Sequence, residues 1–339
     1  MRERKMIPLF SIVAWAILSG SLDRLATPQT VNKPGIPHSR IAFVQASSQT
    51  PNGDIFTMNP DGTGTKQLTS LGLNNEAGPE SWSADGEQFV FNEYPNFGAG
   101  QLWLMNADGS NQHLLLAEAD YGEYDPSFSP DGNWVAFERC QNANNSCAIY
   151  RVRTNGSNLT DVTNFQLEVN DYFPSYSPDG NSIAFYSYAR GGVLGAVYVT
   201  DLSGWDIRRI TPTALGGWFP RWSSDGEKIT FITHCCNPQN REVWQISPDG
   251  TDLSRLTGSA ATDLQAPVDY YNRNPSSSPD GRAVVFQQYR VSTNSEGIFV
   301  VKAGDDQPGT PVLIRPNAYS PQWSPALNRL PASALTPRQ

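Results

Sequence analysis

Histidine is scarce in this chain of 339 residues, and recognisable catalytic motifs are missing. The three histidines, His38, His113 and His234, stand far apart in the sequence, which argues against a metal site held by three histidines. The chain contains no HExxH, Walker-type, GxGxxG or GxSxG motif. We therefore predict a non-catalytic protein that needs no cofactor.

The chain also lacks clusters of basic residues. Only 17% of its residues are charged, against about 25% in an average soluble protein, and the formal net charge is −9. A surface that binds phosphates needs clustered Lys and Arg, so we expect no nucleic-acid partner. The 28 glycines and 26 prolines instead favour an all-β domain whose core is shared among many short strands.

Residues 1–22 have the parts of a secretory signal peptide. Three basic residues precede an apolar run from Met6 to Leu18, and small residues follow. The run is short for a membrane span, which needs about 20 apolar residues. An uncleaved N-terminal anchor is the alternative, and residues 23–38 are predicted to be a linker. We expect an exported protein, periplasmic or extracellular, with no transmembrane segment apart from such an anchor.

One phrase recurs through nearly the whole chain. It reads SWSADGEQFVF, SFSPDGNWVAF, SYSPDGNSIAF, RWSSDGEKITF and SSSPDGRAVVF, and its second residue is Trp82, Phe128, Tyr176, Trp222 and Ser277. The spacing of roughly 46 to 55 residues is typical of β-propeller blades. Each repeat predicts four strands, with tight Asp-Gly turns after the first and third strands and a variable loop after the second.

The two ends of the array indicate six blades. The first repeat has an apolar second strand, IAF at residues 41–43, but lacks the opening phrase. The missing phrase appears at residues 320–325, with Trp323 at the aromatic position. We predict an all-β, six-bladed propeller of four-stranded antiparallel blades over residues 39–326, closed by a C-terminal strand that completes blade 1. Residues 327–339 would be a tail. The alternative is an open array, whose unpaired edges would invite aggregation.

The two faces of such a propeller carry different loops. The Asp-Gly turns fall on one face and are uniform, whereas the loops on the other face are long and dissimilar. Function usually lies on variable loops held by a rigid scaffold. We predict that this loop face binds a protein or glycan partner and that the protein is monomeric. The candidate binding residues are Tyr121, Tyr124, Asp125, Asp171, Tyr172, Trp218, Asp269 and Tyr271.

These residues have alternative interpretations. The aromatic rings either form an exposed rim suited to recognition of a protein or sugar, or fill the gaps between adjacent blades. The four expected to be exposed are Tyr121, Tyr172, Trp218 and Tyr271. The three aspartates are candidate oxygen ligands for Ca²⁺ near the channel mouth, although solvated carboxylates are commoner. A Ca²⁺-dependent hydrolase or lyase with its site at the channel mouth is therefore the alternative function.

The four cysteines indicate the cellular compartment more than a mechanism. Cys140 and Cys147 flank the loop between strands two and three of blade 3, where a disulfide would close the hairpin. Cys235 and Cys236 are adjacent in the matching loop of blade 5, and form either a strained vicinal disulfide or two thiols. Export favours oxidation, so we expect structural roles for all four.

The S-P-D-G phrase, the apolar-Ala-Phe strand after it and the later N-P-D-G-T turn resemble the repeat of TolB-like propellers. The same repeat style occurs in the propellers of dipeptidyl-peptidase-IV-type enzymes. The resemblance covers about residues 39–326 and implies six blades, a periplasmic location and protein binding. We expect the chain to differ from TolB in lacking its N-terminal α/β domain, which puts a role in the Tol–Pal system in doubt. It also lacks the clustered histidines of oligogalacturonate lyases, and we expect no downstream peptidase domain.

Overall fold

The computed structural model describes residues 39–46, 53–72, 75–164, 169–188, 190, 195–233, 241–258, 269–304 and 308–325. In these residues 24 strands form six sheets, each of four antiparallel strands. No helix among them has the length and apolar character that a bilayer span requires. Each sheet is one blade, so the predicted six-bladed, all-β propeller is confirmed.

Blade 1 combines the first three strands with the last, and the other blades follow in chain order. The strands of blade 1 are β1 (Ile41–Gln45), β2 (Asp54–Met58), β3 (Lys66–Gln67) and β24 (Tyr319–Trp323). Blade 2 contains β4 (Asn75–Trp82), β5 (Gln88–Pro95), β6 (Gln101–Asn106) and β7 (His113–Leu116). Blade 3 contains β8 (Tyr121–Phe128), β9 (Trp134–Gln141), β10 (Cys147–Arg153) and β11 (Thr160–Asp161).

The remaining three blades repeat the same meander. Blade 4 contains β12 (Asp171–Tyr176), β13 (Ser182–Ser187), β14 (Ala196–Asp201) and β15 (Arg208–Arg209). Blade 5 contains β16 (Trp218–Trp222), β17 (Ile229–Ile232), β18 (Val243–Ile246) and β19 (Ser254–Arg255). Blade 6 contains β20 (Tyr270–Ser277), β21 (Ala283–Arg290), β22 (Ser295–Lys302) and β23 (Val312–Pro316).

The second strand of each blade supplies the core. Its repeated phenylalanine is fully buried in all six blades, at Phe43, Phe91, Phe137, Phe185, Phe231 and Phe286. Neighbouring blades pack face to face: Val90 of blade 2 lies in one apolar cluster with Phe128 and Val135 of blade 3. The core is therefore distributed around the ring in layers between adjacent sheets.

Local hydrogen bonds explain why the Ser-x-Asp-Gly phrase ends each first strand. In blade 3, Ser129 Oγ donates to Asp131 Oδ1 (2.5 Å) and accepts from the backbone N–H of Trp134 (2.9 Å). Gly132 has a φ of +70°, in the left-handed region that glycine favours. The same serine–aspartate contact occurs in blades 2, 4, 5 and 6. Each turn is thus specified by its own side chains.

A second serine joins adjacent blades near the axis. Ser127 Oγ of blade 3 accepts from the backbone N–H of Tyr176 in blade 4 (3.1 Å). Matching serines do the same between blades 2 and 3, 4 and 5, and 6 and 1. Because each bond joins an innermost strand to the next blade, these serines hold the blades at a common spacing around the channel.

The C-terminal strand closes the ring, as predicted. β24 pairs antiparallel with β1, with Ile41 opposite Trp323 and Ala42 opposite Gln322. The backbone N–H of Ser324 donates to the carbonyl of Arg40 (2.7 Å), and Trp323 packs in a buried cluster with Ile41. The first and last strands of the propeller therefore share one sheet.

The structure contains a disulfide between Cys140 and Cys147. The two residues lie opposite each other at the loop end of β9 and β10. This is the hairpin neck at which the sequence suggested a bridge. Cys235 and Cys236 lie outside the described residues.

Candidate functional site

The innermost strand of each blade is interrupted at the same position. Asp125, Phe173, Phe219, Asn274 and Ser320 all have left-handed backbones, with φ between 48° and 55°. The strand register shifts at each of these places, which is the signature of a β-bulge. Side chains of neighbouring bulges meet: the Phe173 and Phe219 ring centroids are 4.2 Å apart, and Asn274 Nδ2 donates to Ser320 Oγ (2.8 Å). The bulges therefore gather side chains from several blades around the axis.

An ion pair crosses the channel beside these bulges. Glu80 Oε2 on β4 lies 3.4 Å from Arg221 Nη2 on β16. Blades 2 and 5 stand opposite each other in a ring of six, so the pair spans the channel. Arg221 Nη1 also donates to the carbonyl of Pro174 in blade 4 (3.3 Å). We call Glu80, Asp125, Glu138 and Arg221 the channel plug.

Glu80 and Arg221 of the channel plug border a chamber on the turn face. That chamber has a volume of about 200 Å³. Its walls are the ends of the first strands and the Ser-Pro turns, such as Ser129 and Pro130, and Glu80 and Arg221 also line it. A ligand that enters from the loop face would meet the bulges and the plug first.

The three carboxyl groups of the channel plug have pKa values above their usual range. Burial raises the pKa of Asp125 to about 6, while Arg221 acts in the opposite direction. Burial, and next to it the charge of Asp125, holds the pKa of Glu138 well above its usual range. The pKa of Glu80 is also raised well above its usual range, by burial first and by Asp125 second. A protonated Glu138 is therefore suited to donate a hydrogen bond to Asp125.

Glu123 is a separate buried carboxyl on the same strand as Asp125. Its side chain is fully buried, and within the described residues neither carboxylate oxygen has a hydrogen-bond partner. Burial is the main reason that its pKa rises to about 7; Arg139, opposite it on β9, opposes the rise and Glu118 adds to it. The group is held by its backbone, since its N–H donates to the carbonyl of Gly100 (3.0 Å) and its carbonyl accepts from Asn92 Nδ2 (2.7 Å).

Aromatic rings from blades 4 and 5 form one continuous cluster at the loop face. The Tyr172 and Tyr186 centroids are 5.9 Å apart, and Trp218 lies edge-on to Tyr186 at 5.7 Å. Trp218 then contacts Phe219, which reaches the axis through Phe173. Trp218 and Tyr172 are half-buried. The cluster both fills the space between blades and leaves part of its surface open, so each of the two interpretations of these rings holds in part.

The structure describes all eight predicted binding residues, and they are divided among several environments. Tyr124 stacks on Tyr94 (6.0 Å), and Asp125 belongs to the plug. Tyr121 lies under the guanidinium of Arg139, 3.9 Å from the ring centroid. Tyr271 stacks on Tyr289, with ring centroids 4.9 Å apart. Only part of the predicted set surrounds the channel mouth.

Asp171 does not contribute to an open rim. Its side chain is 1% exposed and accepts hydrogen bonds from Ser187 Oγ (2.5 Å) and from Arg190 Nη2 (2.7 Å). A buried carboxylate with these partners is structural. Asp269 is exposed instead, and it accepts from the backbone N–H of Ser292 (2.7 Å), with Arg290 Nη1 3.9 Å away.

The PD40 family model, described as the TolB beta propeller domain, matches residues 35–327. The chain belongs to this family. TolB from Acinetobacter baumannii has a similar fold, with a TM-score of 0.64 and 18% identity over 86% of this chain and 68% of that chain. A putative TolB from Agrobacterium tumefaciens has a TM-score of 0.60 and 19% identity, over 82% of this chain and 88% of that chain. A chain of a nidogen/laminin complex has a TM-score of 0.61 and 10% identity, over 85% of this chain and 99% of that chain. At these identities the likeness concerns the fold. A comparison with curated proteins finds no match.

The three aspartates that are candidate calcium ligands interact with different groups in this TolB-family propeller: Asp125 with the channel plug, Asp171 with Arg190, and Asp269 with Ser292. In the described part of the chain, the residues whose ligand-type atoms come together at metal-binding separation are Glu138, Cys140 and Cys147. The two sulfurs of that group are bonded to each other, so they are not thiolate ligands. A calcium site at the channel mouth stays a prediction.

Sequence reasoning missed Glu80, Glu138 and Arg221. Two of these are departures from the TolB-type repeat: Arg221 stands where the other complete phrases have serine, and Glu80 stands where the neighbouring blades have proline. A comparison of the six phrases for their exceptions, and not for their shared letters, would have found both. Glu138 carries no such signal, because polar residues at the end of a second strand are ordinary.

Proposed function

We propose that this chain is an exported, non-catalytic binding protein that recognises a protein or glycan partner on its loop face. One observation carries the proposal. Apolar side chains are exposed at the tips of the loops between the second and third strands of blades 2, 4 and 6: Phe97 (60% exposed), Tyr188 (38%) and Val291 (45%). Apolar side chains scattered singly over a surface are ordinary, so the argument for an interaction site is that these three share one face.

The backbone at Phe97 adds to this argument. Phe97 has a φ of +57°, a left-handed conformation that is costly for a bulky residue, and the loop nonetheless presents its ring to solvent. A bound partner would cover the ring. The half-buried aromatic cluster around Trp218 and Tyr172 offers a second apolar surface nearer the axis.

Support for export comes from the N-terminal sequence and from the disulfide. A basic start followed by an apolar run of 13 residues or so is typical of a secretory signal. The Cys140–Cys147 bridge suits an oxidising compartment. These two features support our proposal that the protein is periplasmic or extracellular.

The two faces offer a matched test. We expect the double variant Phe97→Ser/Tyr188→Ser to capture its partner from an envelope extract at least tenfold less well than the unaltered protein, as measured by quantitative affinity capture. Two exposed aromatic side chains typically account for several kcal/mol of an interface if they are its anchors.

Trp205→Ser is the control for that experiment. Trp205 is 86% exposed, but it follows the turn at Asp201–Gly204 and so lies on the opposite face. We expect this variant to retain the partner. Loss of capture by Trp205→Ser and retention by the double variant would place the site on the turn face and contradict the proposal.

A further inference from the structure

Among the described residues, two arginines near the loop-face mouth form no ion pair. Arg241 precedes β18 in blade 5, and Arg273 lies on β20 in blade 6. Both are half-buried. Within the described residues neither guanidinium has a carboxylate within 4 Å or a side-chain hydrogen bond, and Arg241 Nε is buried without a partner. In a chain with a net charge of −9, such a pair is unusual.

Both guanidinium groups lie close to the ring of Tyr271. Arg241 Cζ lies 5.2 Å from the centroid of Tyr271, and Arg273 Cζ lies 4.9 Å from the same centroid. Arg241 Cζ is also 4.9 Å from the centroid of Trp218. Tyr271 is in turn fixed by stacking on Tyr289. The rings restrict the orientation of the arginines, and no described side chain accepts a hydrogen bond from their guanidinium groups.

The two charges repel each other at this place. Burial, and next to it the charge of the neighbouring Arg273, lower the pKa of Arg241 to about 10. Arg273 partly offsets the rise that burial causes in the pKa of Glu296, but Glu296 is not within ion-pair distance of Arg273, and its Oε2 accepts from Gln287 Nε2 (2.7 Å). Two like charges at a half-buried position are costly unless an anion offsets them.

We propose that Arg241 and Arg273 form a subsite for a carboxylate of an acidic segment in a partner polypeptide. The guanidinium groups match the planar, two-oxygen shape of a carboxylate, and Trp218 and Tyr271 exclude water from one side. A polypeptide is favoured over a glycan because the same face exposes Phe97, Tyr188 and Val291, which suit the apolar side chains of a protein surface. The inference rests on the proposed function, since it names the chemistry that the loop face recognises.

The test uses a fluorescent N-acetylated, C-amidated peptide of four Asp and Glu residues, with its Asn and Gln counterpart as the neutral probe. Binding to the full-length protein is measured by anisotropy at low salt. We expect the acidic peptide to bind at least tenfold more tightly than the neutral one. Each of Arg241→Gln and Arg273→Gln is expected to lower the affinity for the acidic peptide about tenfold. The change Arg208→Gln, at an exposed arginine, is expected to leave that affinity unchanged.

Thermal melting separates binding from folding. Without peptide, Arg241→Gln is expected to keep the Tm of the unaltered protein, because it removes one of two repelling charges. With peptide, the Tm is expected to rise for the unaltered protein and not for the double variant Arg241→Gln/Arg273→Gln. Equal binding of the two peptides, unchanged affinity in both variants, or binding of a uronic-acid disaccharide in place of the peptide would overturn the inference. Its failure alone leaves capture through Phe97 and Tyr188 intact, so the two proposals are tested separately.

Discussion

Removal of residues 319–339 is expected to abolish the cooperative unfolding of the propeller and to cause self-association. The deletion removes β24 and leaves one side of β1 unpaired, and unpaired strand edges promote aggregation. It also removes Trp323, which packs in the buried cluster with Ile41 and Phe43. The combined loss is comparable to the about 5–15 kcal/mol that stabilises a typical domain. Size-exclusion chromatography and thermal melting by circular dichroism measure the effect.

Two further variants locate the cause of that instability. Removal of residues 326–339 alone keeps every described strand, and we expect it to leave the Tm unchanged. The single change Trp323→Ala is expected to lower the free energy of unfolding by about 3–5 kcal/mol, since it empties a buried aromatic position. If the protein without residues 319–339 were monomeric with an unchanged Tm, closure by β24 would be wrong.

The free energy of unfolding is expected to fall as the pH rises from about 4.5 to about 7. In the unfolded chain Glu123 loses its proton near its ordinary pKa of 4.5, whereas the folded protein holds that proton until the pH is about 7. Between these values the unfolded state binds fewer protons, so stability decreases with pH. Asp125, whose pKa is raised to about 6, contributes in the same direction.

Glu123→Gln isolates the largest separable part of this effect. We expect it to raise the free energy of unfolding at pH 8 by about 3–4 kcal/mol, since the pKa rises from 4.5 to about 7 and one pKa unit corresponds to about 1.4 kcal/mol. At pH 4 we expect little gain, because the carboxyl is then mostly protonated in both states. Urea unfolding across this pH range measures both values. The exposed Glu87→Gln is the control and is expected to leave the pH profile unchanged; a loss of stability in Glu123→Gln at pH 8 would contradict the assignment.

Blade number, strand order and closure were predictable because the information for each turn is local. Ser129, Asp131 and Gly132 form their turn without help from other blades, and the phrase repeats wherever such a turn is needed. The opening phrase displaced to residues 320–325 identified the closing strand by the same logic. A motif that satisfies its own hydrogen bonds can be interpreted from sequence alone.

The site was less predictable because it depends on contacts between blades. Nothing local shows that Phe173 and Asp125 adopt left-handed backbones, since a bulky residue such as phenylalanine rarely does so and aspartate does so only in some contexts. The bulge follows from the register with the second strand. The burial of Asp171 depends on Arg190, which is 19 residues away. The Glu80–Arg221 pair joins residues from opposite blades. These pairings become visible only when the ring is closed.

The most direct test of the binding face is site-specific photo-cross-linking from both sides of the propeller. A photoreactive phenylalanine placed at position 188 would report on the loop face, and one at position 205 on the turn face. Both sites are exposed, and neither side chain belongs to an apolar core cluster of the described residues. We expect a defined adduct with one partner from position 188 and none from position 205. An adduct formed from position 205 alone would contradict recognition through the loop face.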